Sequence, residues 1–214
     1  MPTWDELFTN QEHRWLEPHE KVVEFFSSLK PEPGEHVLDL GCGAGRHIVY
    51  VAREGYQVVG MDLSWNGLAF SQKWIERENL TAELARADMV SLPFQSDLFH
   101  AVISVHVIFH NPLRLLRKSI EEIRRVLCPG GRAFITFQSK RSYRYGKGLQ
   151  VEPDTFIPDI GADSGIPHHY SDLHELADLL DGFVIHKIEL LETSGAEEQK
   201  SSHWGVFLEK QNSN

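Results

Sequence analysis

Two groups of residues have the types and spacing to do chemistry. The first is Asp39-Leu40-Gly41-Cys42-Gly43-Ala44-Gly45-Arg46, with Asp62-Leu63-Ser64-Trp65 and Asp88-Met89 further along. A β-prone run leads into these glycines and a helical run leaves them. Such a turn presents backbone N–H groups and the positive end of a helix dipole, and glycine lets a ligand approach the main chain closely. The spacing limits what that ligand is. A dinucleotide fingerprint, G-x-G-x-x-G, wants its third glycine where Arg46 stands, and no G-x-x-x-x-G-K-[ST] phosphate cradle occurs.

The second group is histidine. His106 and His110 lie in Ser104-Val105-His106-Val107-Ile108-Phe109-His110-Asn111, and His168-His169 stands in an irregular stretch. Imidazole, with an ordinary pKa of about 6.5, suits proton transfer near neutrality, so His106 reads as a general base or acceptor-orienting group, with His110 beside it. The alternative is a histidine bonded to a loop carbonyl. These four side chains are also of the type that binds zinc, iron or nickel. No carboxylate stands at a tight spacing to them, and no metal is expected. Lys140-Arg141-Ser142-Tyr143-Arg144-Tyr145-Gly146-Lys147 interleaves basic residues with aromatics. That pattern fits an electrostatic funnel for an anionic acceptor, a stacking surface for nucleic acid, or a solvated loop.

These groups need a scaffold, and the pattern of apolar runs and breakers supplies one. His36 to Leu40, Gln57 to Met61, Ala82 to Ala87, His100 to Val105 and Arg132 to Phe137 read as strands. Arg46 to Arg53, Ser64 to about Asn79 and Pro112 to Leu127 read as the helices between them. A helix from Ser171 to Leu180 and strands at Phe183 to Leu190 and His203 to Leu208 close the chain. The alternation predicts a doubly wound α/β fold with a seven-stranded, mostly parallel sheet, antiparallel at its last strand, and helices on both faces. Residues 1–214 read as one domain. Two segments stand outside the rhythm and are expected to cover the carboxyl edge of the sheet: a helical cap over residues 1–30 and an irregular insert, or lid, over residues 139–170. Trp15, Tyr143, His168 and His169 are the residues expected to line an acceptor pocket there.

From about Pro33 to Phe137 the chain resembles the class I S-adenosylmethionine-dependent methyltransferases. Val37 to Gly45 looks like that family's first motif, and Asp62 matches the acidic residue that bonds both ribose hydroxyls. Asp88-Met89 is similar to the pair at the adenine amino group and ring, and Leu127-Cys128-Pro129-Gly130-Gly131 looks like the turn before the fifth strand. The resemblance implies a Rossmann-like methyltransferase with S-adenosyl-L-methionine as cofactor, held by Asp39, Gly41, Gly43, Gly45, Arg46, Asp62, Leu63, Trp65, Asp88 and Met89. The chemistry agrees: a carboxylate closing a strand can accept both hydroxyls of a vicinal diol, Trp65 and Met89 can sandwich an adenine, and the charge of Asp39 favours an ammonium. Taken singly, Asp62 reads as well as a helix cap and Trp65 as a core anchor. His100 stands where the family commonly carries an Asp, which bears on loop support rather than on cofactor binding.

The acceptor is narrowed by what is missing. Without an Asn/Asp-Pro-Pro-aromatic tetrad, amino methylation of DNA bases or glutamine is disfavoured; Cys42 and Cys128 belong to no Pro-Cys nucleophile, which disfavours attack on cytosine carbon. Twenty-one Lys and Arg stand against 31 Asp and Glu, and a net charge of -10 argues against wrapping nucleic acid. Two cysteines make no disulfide framework. Apolar runs fall short of the roughly 20 residues of a membrane span, and Met1 to Asn10 lacks the basic and apolar regions of a signal peptide. The expected protein is a cytoplasmic enzyme, monomer or homodimer, that methylates a small molecule on oxygen, nitrogen or sulfur, an anionic one if the basic loop serves it. The alternatives are RNA methylation, a nicotinamide oxidoreductase and a catalytically silent S-adenosylmethionine-binding module.

Overall fold

Apolar residues alternate between two helical layers along each central strand, and this period of two builds the sheet. The computed structural model describes residues 3–9, 15–29, 34–159, 161, 163–194 and 200–212. Strands β1 (His36–Leu40), β2 (Gln57–Asp62), β3 (Glu83–Arg86), β4 (Phe99–Ser104) and β5 (Leu127–Ser139) run parallel in the order β3-β2-β1-β4-β5. Short strands β6 (Leu149–Glu152), β7 (Thr155–Ile157) and β8 (His168–Ser171) come next, then the long β9 (Phe183–Ser194) and β10 (Lys200–Lys210). β10 lies antiparallel to β5, and β9 antiparallel to β10.

The helices are α1 (Trp4–Leu7), α2 (Glu20–Ser27), α3 (Arg46–Arg53), α4 (Trp65–Arg77), α5 (Leu113–Val126) and α6 (Leu173–Leu179). Val37, Ala101, Ile103 and Phe134 face one core with Phe25 of α2, Ile48 of α3 and Leu68 of α4. Leu38, Val102, Ala133, Ile135 and Phe137 face the other with Leu116 and Ile123 of α5 and Leu176 of α6. The sheet is therefore buried on both faces. Strand order reverses between β1 and β4, and at such a switch point the carboxyl ends leave a crevice for a ligand.

The doubly wound architecture agrees with the sequence; the strand count does not. Ten strands occur among the described residues rather than seven, because the stretch expected to be irregular folds into the β6-β7-β8 ribbon. β8 pairs with β5 at Gln138 and Ser139, just past the point where β4 ends opposite Ile135. The ribbon thus prolongs the sheet above β4 and holds the insert at the crevice. At the other end, α1 is capped by Thr3 and Glu6 and clipped to the start of α4: Asp5 accepts from the Ser64 hydroxyl at 2.8 Å and from the Asn66 N–H at 3.1 Å. No helix among the described residues is long and apolar enough to cross a membrane.

Candidate active site

The carboxyl ends of β1, β2, β4 and β5, with α1, the 15–19 segment and the insert, enclose a cavity of about 500 Å³. Its floor is the glycine turn. Gly41 and Gly43 have φ of +78° and +53°, which side-chain-bearing residues rarely adopt. Both are also packed too closely for a side chain: a Cβ on Gly41 would lie 2.3 Å from Val107, and one on Gly43 2.8 Å from the ring of Phe8. Asp62 closes β2 and clamps the turn, its two oxygens accepting from the N–H groups of Gly43 and Ser64 at 2.8 Å each. Burial pushes this carboxyl up, and the same two N–H groups act against it. Asp39 is 1 % exposed; one oxygen lies 3.9 Å from Nδ1 of His47 and the other has no hydrogen-bond partner among the described residues. A buried carboxylate oxygen without a donor costs energy, so this position is built to receive one. The lining residues fit an aminoacyl-nucleoside cofactor: Asp62 is an acid for a diol, Gly41 and Gly43 make the floor, and Leu63, Asp88 and Met89 stand on the third wall, with Asp39 buried just before the turn.

The other half of the cavity is histidine. His19, His47, His106, His110, His168 and His203 line it, six of the twelve in the chain. His106 sits with φ +61°, its N–H held by the Thr136 hydroxyl at 2.7 Å and its ring 4.4 Å from that of His203 and 5.7 Å from that of His19. A non-glycine residue held in this region is strained, which marks the position as specified by its surroundings. Burial pushes His106 and His110 well below the ordinary imidazole value, and His19 and His203 down to about 4. Neighbouring histidines and Arg46 act in the same direction on His106. Burial thus favours the neutral form of His19, His106, His110 and His203, which offer lone pairs rather than charge. Positive charge enters from Arg46 and Arg144, and one acid, Asp163, faces them from the insert. Cys42 also lines the cavity, but burial and the carboxylates of Asp62 and Asp39 push its thiol well up, so it is no nucleophile.

Of the residues expected here, Gly41, Gly43, Arg46, Asp62, Leu63, Asp88, Met89, Trp15, His106, His110 and His168 line the cavity. Five do not. Asp39 is buried just before the turn. Trp65 is 60 % exposed with the Arg86 guanidinium 5.1 Å from its ring, because the first residue of α4 points away from the crevice; it cannot pair with Met89 around an adenine. Gly45 caps α3 behind the turn, where a Cβ would meet Ser71 at 2.7 Å. Tyr143 turns outward under Arg144 and Lys147, and Arg144 takes its place at the cavity. His169 alternates away from His168 along β8 and bonds to Thr155 and Glu175 at 2.8 Å each. Sequence reasoning left His19 and His47 without a site and did not single out Gln138 or Asp163. The only signal for the two histidines was their excess, since the folded chain brings them together over 28 residues through the His19 N–H to His47 Nε2 bond.

Residues 37–131 match a family model described as a methyltransferase domain. The methyltransferase GfsG of Streptomyces halstedii is 32% identical over 60% of this chain and 51% of its own length. Phosphoethanolamine N-methyltransferase 2 of Caenorhabditis elegans is 31% identical over 77% of this chain and 35% of its own. The chain thus spans about half or less of these curated relatives. A crystal structure of a SAM-dependent methyltransferase from Methanosarcina mazei superposes with a TM-score of 0.76 at 19% identity, covering 92% of this chain and all of that one.

Proposed function

We propose that the chain is a class I S-adenosylmethionine-dependent methyltransferase, a reading supported by the matching methyltransferase-domain model and relatives, and that it transfers the methyl group of S-adenosylmethionine to a small molecule, on oxygen, nitrogen or sulfur. The observation that carries this reading is the cavity in which Asp62, at the end of β2, and the glycine turn of Gly41 and Gly43 lie beside Leu63, Asp88 and Met89. The cofactor, when bound, supplies an electrophilic methyl group on a sulfonium sulfur. Asp39 answers its ammonium, Asp62 its ribose hydroxyls, and Met89 with Leu63 its base. Positioning and water exclusion then carry most of the rate.

Residues 1–30 serve as a cap and 139–170 as a lid, and both bring side chains to the acceptor half: Trp4, Phe8 and Trp15 from the first, Arg144 and His168 from the second. A cavity of about 500 Å³ lined from both segments fits a small-molecule acceptor. Arg46 and Arg144 favour an acceptor with negative charge. His106 takes the acceptor's proton. Its lone pair is free at neutral pH, and a weak base suffices because a nucleophile becomes more acidic as it gives its electrons to carbon. Incubation with labelled S-adenosylmethionine and a fractionated metabolite pool tests the proposal. Label in a small molecule supports it; label in nucleic acid, or cofactor binding with no transfer to any fraction, overturns it.

A further inference from the structure

On the lid side of the cavity, a side chain that follows β4 converges with two from the insert. His110, Asp163 and His168 each offer one ligand atom, and these atoms all lie within 4.8 Å of one another. Nδ1 of His110 lies 3.1 Å from the Val107 carbonyl oxygen and donates its proton there, which leaves the lone pair on Nε2. This is the outer contact that fixes ring and tautomer in metal-binding histidines. His168 is 2 % exposed, yet neither ring nitrogen has a hydrogen-bond partner among the described residues. Its Nε2 is 3.1 Å from Asp163 Oδ2 but off the line of a hydrogen bond. Two ligands of a common ion behave this way, each aimed at the ion and past the other. Asp163 is steadied on its other oxygen by Arg144 at 3.1 Å.

We infer that His110, His168 and Asp163 form a binding site for a divalent first-row transition ion, a function beyond methyl transfer as such. Two imidazole nitrogens and one carboxylate oxygen suit zinc, iron(II) or cobalt(II) rather than magnesium or calcium, which prefer all-oxygen sets. Bonds of about 2.0–2.2 Å place ligand atoms about 3.0–3.5 Å apart; Asp163 and His168 already stand at 3.1 Å, so only His110 has to approach, by at most about 1.8 Å. Three protein ligands leave at least one coordination position, and it faces the acceptor half of the cavity, where an oxygen donor of the acceptor can take it.

The test needs neither cofactor nor acceptor, so its failure is separate from that of the methyltransferase reading. The full chain, stripped with EDTA, is titrated with Zn²⁺ by calorimetry and with Co²⁺ by visible absorption. One ion per chain is expected, with d–d bands of a low-coordinate nitrogen and oxygen set for Co²⁺. His110→Ala and Asp163→Asn should each weaken Zn²⁺ at least 100-fold, while His174→Ala, whose side chain is 91 % exposed, should not. The urea-unfolding midpoint and far-UV circular dichroism of each variant report that it is folded. Wild-type protein that takes up no ion at 100 µM on the order of ordinary site affinities, or His110→Ala that binds Zn²⁺ as tightly as wild type, overturns the assignment. So does loss of the ion in His203→Gln with retention in His110→Ala, which would move the site to the other histidines.

Discussion

Asp62→Asn separates two jobs that one carboxylate performs. Both of its oxygens accept backbone N–H groups, from Gly43 and from Ser64, at 2.8 Å. An amide keeps one acceptor oxygen and turns an NH₂ group towards the second N–H, so one charge-assisted hydrogen bond is lost and two donors face each other. Such bonds contribute about 1.5–3 kcal/mol. Urea unfolding of the variant without ligand should therefore show a loss of about 2–3 kcal/mol at an unchanged slope. The second job is reception of the ribose diol by the remaining lone pairs. If the carboxylate does this, S-adenosylhomocysteine affinity, measured by calorimetry well below the unfolding midpoint, should fall by a further factor of about 30–150. Wild-type affinity in a destabilised variant would reduce Asp62 to a clip for the glycine turn. Wild-type stability would refute the hydrogen-bond accounting itself.

Three further outcomes follow from the same geometry. His203 stays neutral in the folded protein down to about pH 4, whereas the unfolded chain takes up that proton near 6.5; stability therefore falls as pH drops through this window, by about 3 kcal/mol in all from this one group. In EDTA-treated protein, His203→Gln should flatten the pH dependence of the urea-unfolding free energy by up to one proton, and an unchanged slope would sink the argument. Gly41→Ala combines a φ of +78° with a Cβ 2.3 Å from Val107, and should cost about 2–4 kcal/mol on thermal unfolding; a neutral substitution would mean the turn is not held as described. His106→Ala should leave S-adenosylhomocysteine affinity within twofold and lower kcat by about 10²–10⁴, with unchanged turnover removing it from the proton path.

The cofactor half of the cavity was legible because it is local. Asp39 to Gly43 is one strand end and one turn, and Asp62 is the end of the next strand, so register alone brings them together. Trp65 failed for a reason equally local but finer: the position after a helix cap fixes direction, and Arg86, bonded through Nε to the Leu63 carbonyl, draws the indole outward. The acceptor half was legible in residue type and not in membership. His168 and His169 look equivalent in sequence, and only the pairing of β8 with β5 and β7 decides which faces inward. Asp163 lies 53 positions from His110, so no spacing rule could join them. The ribbon itself escaped notice because strands of three and four residues, with β6 largely exposed, carry too little alternation to stand out from a loop.

The clip between α1 and α4 makes closing the cleft and filling it one equilibrium. A four-residue helix has almost no stability of its own, so its position depends on the bonds from Ser64 and Asn66 to Asp5 and on what Trp4 and Phe8 touch. Whatever ligand rests on the Gly43 floor shares space with the Phe8 ring. By reciprocity, the factor by which a docked α1 tightens that ligand is the factor by which the ligand holds α1 down.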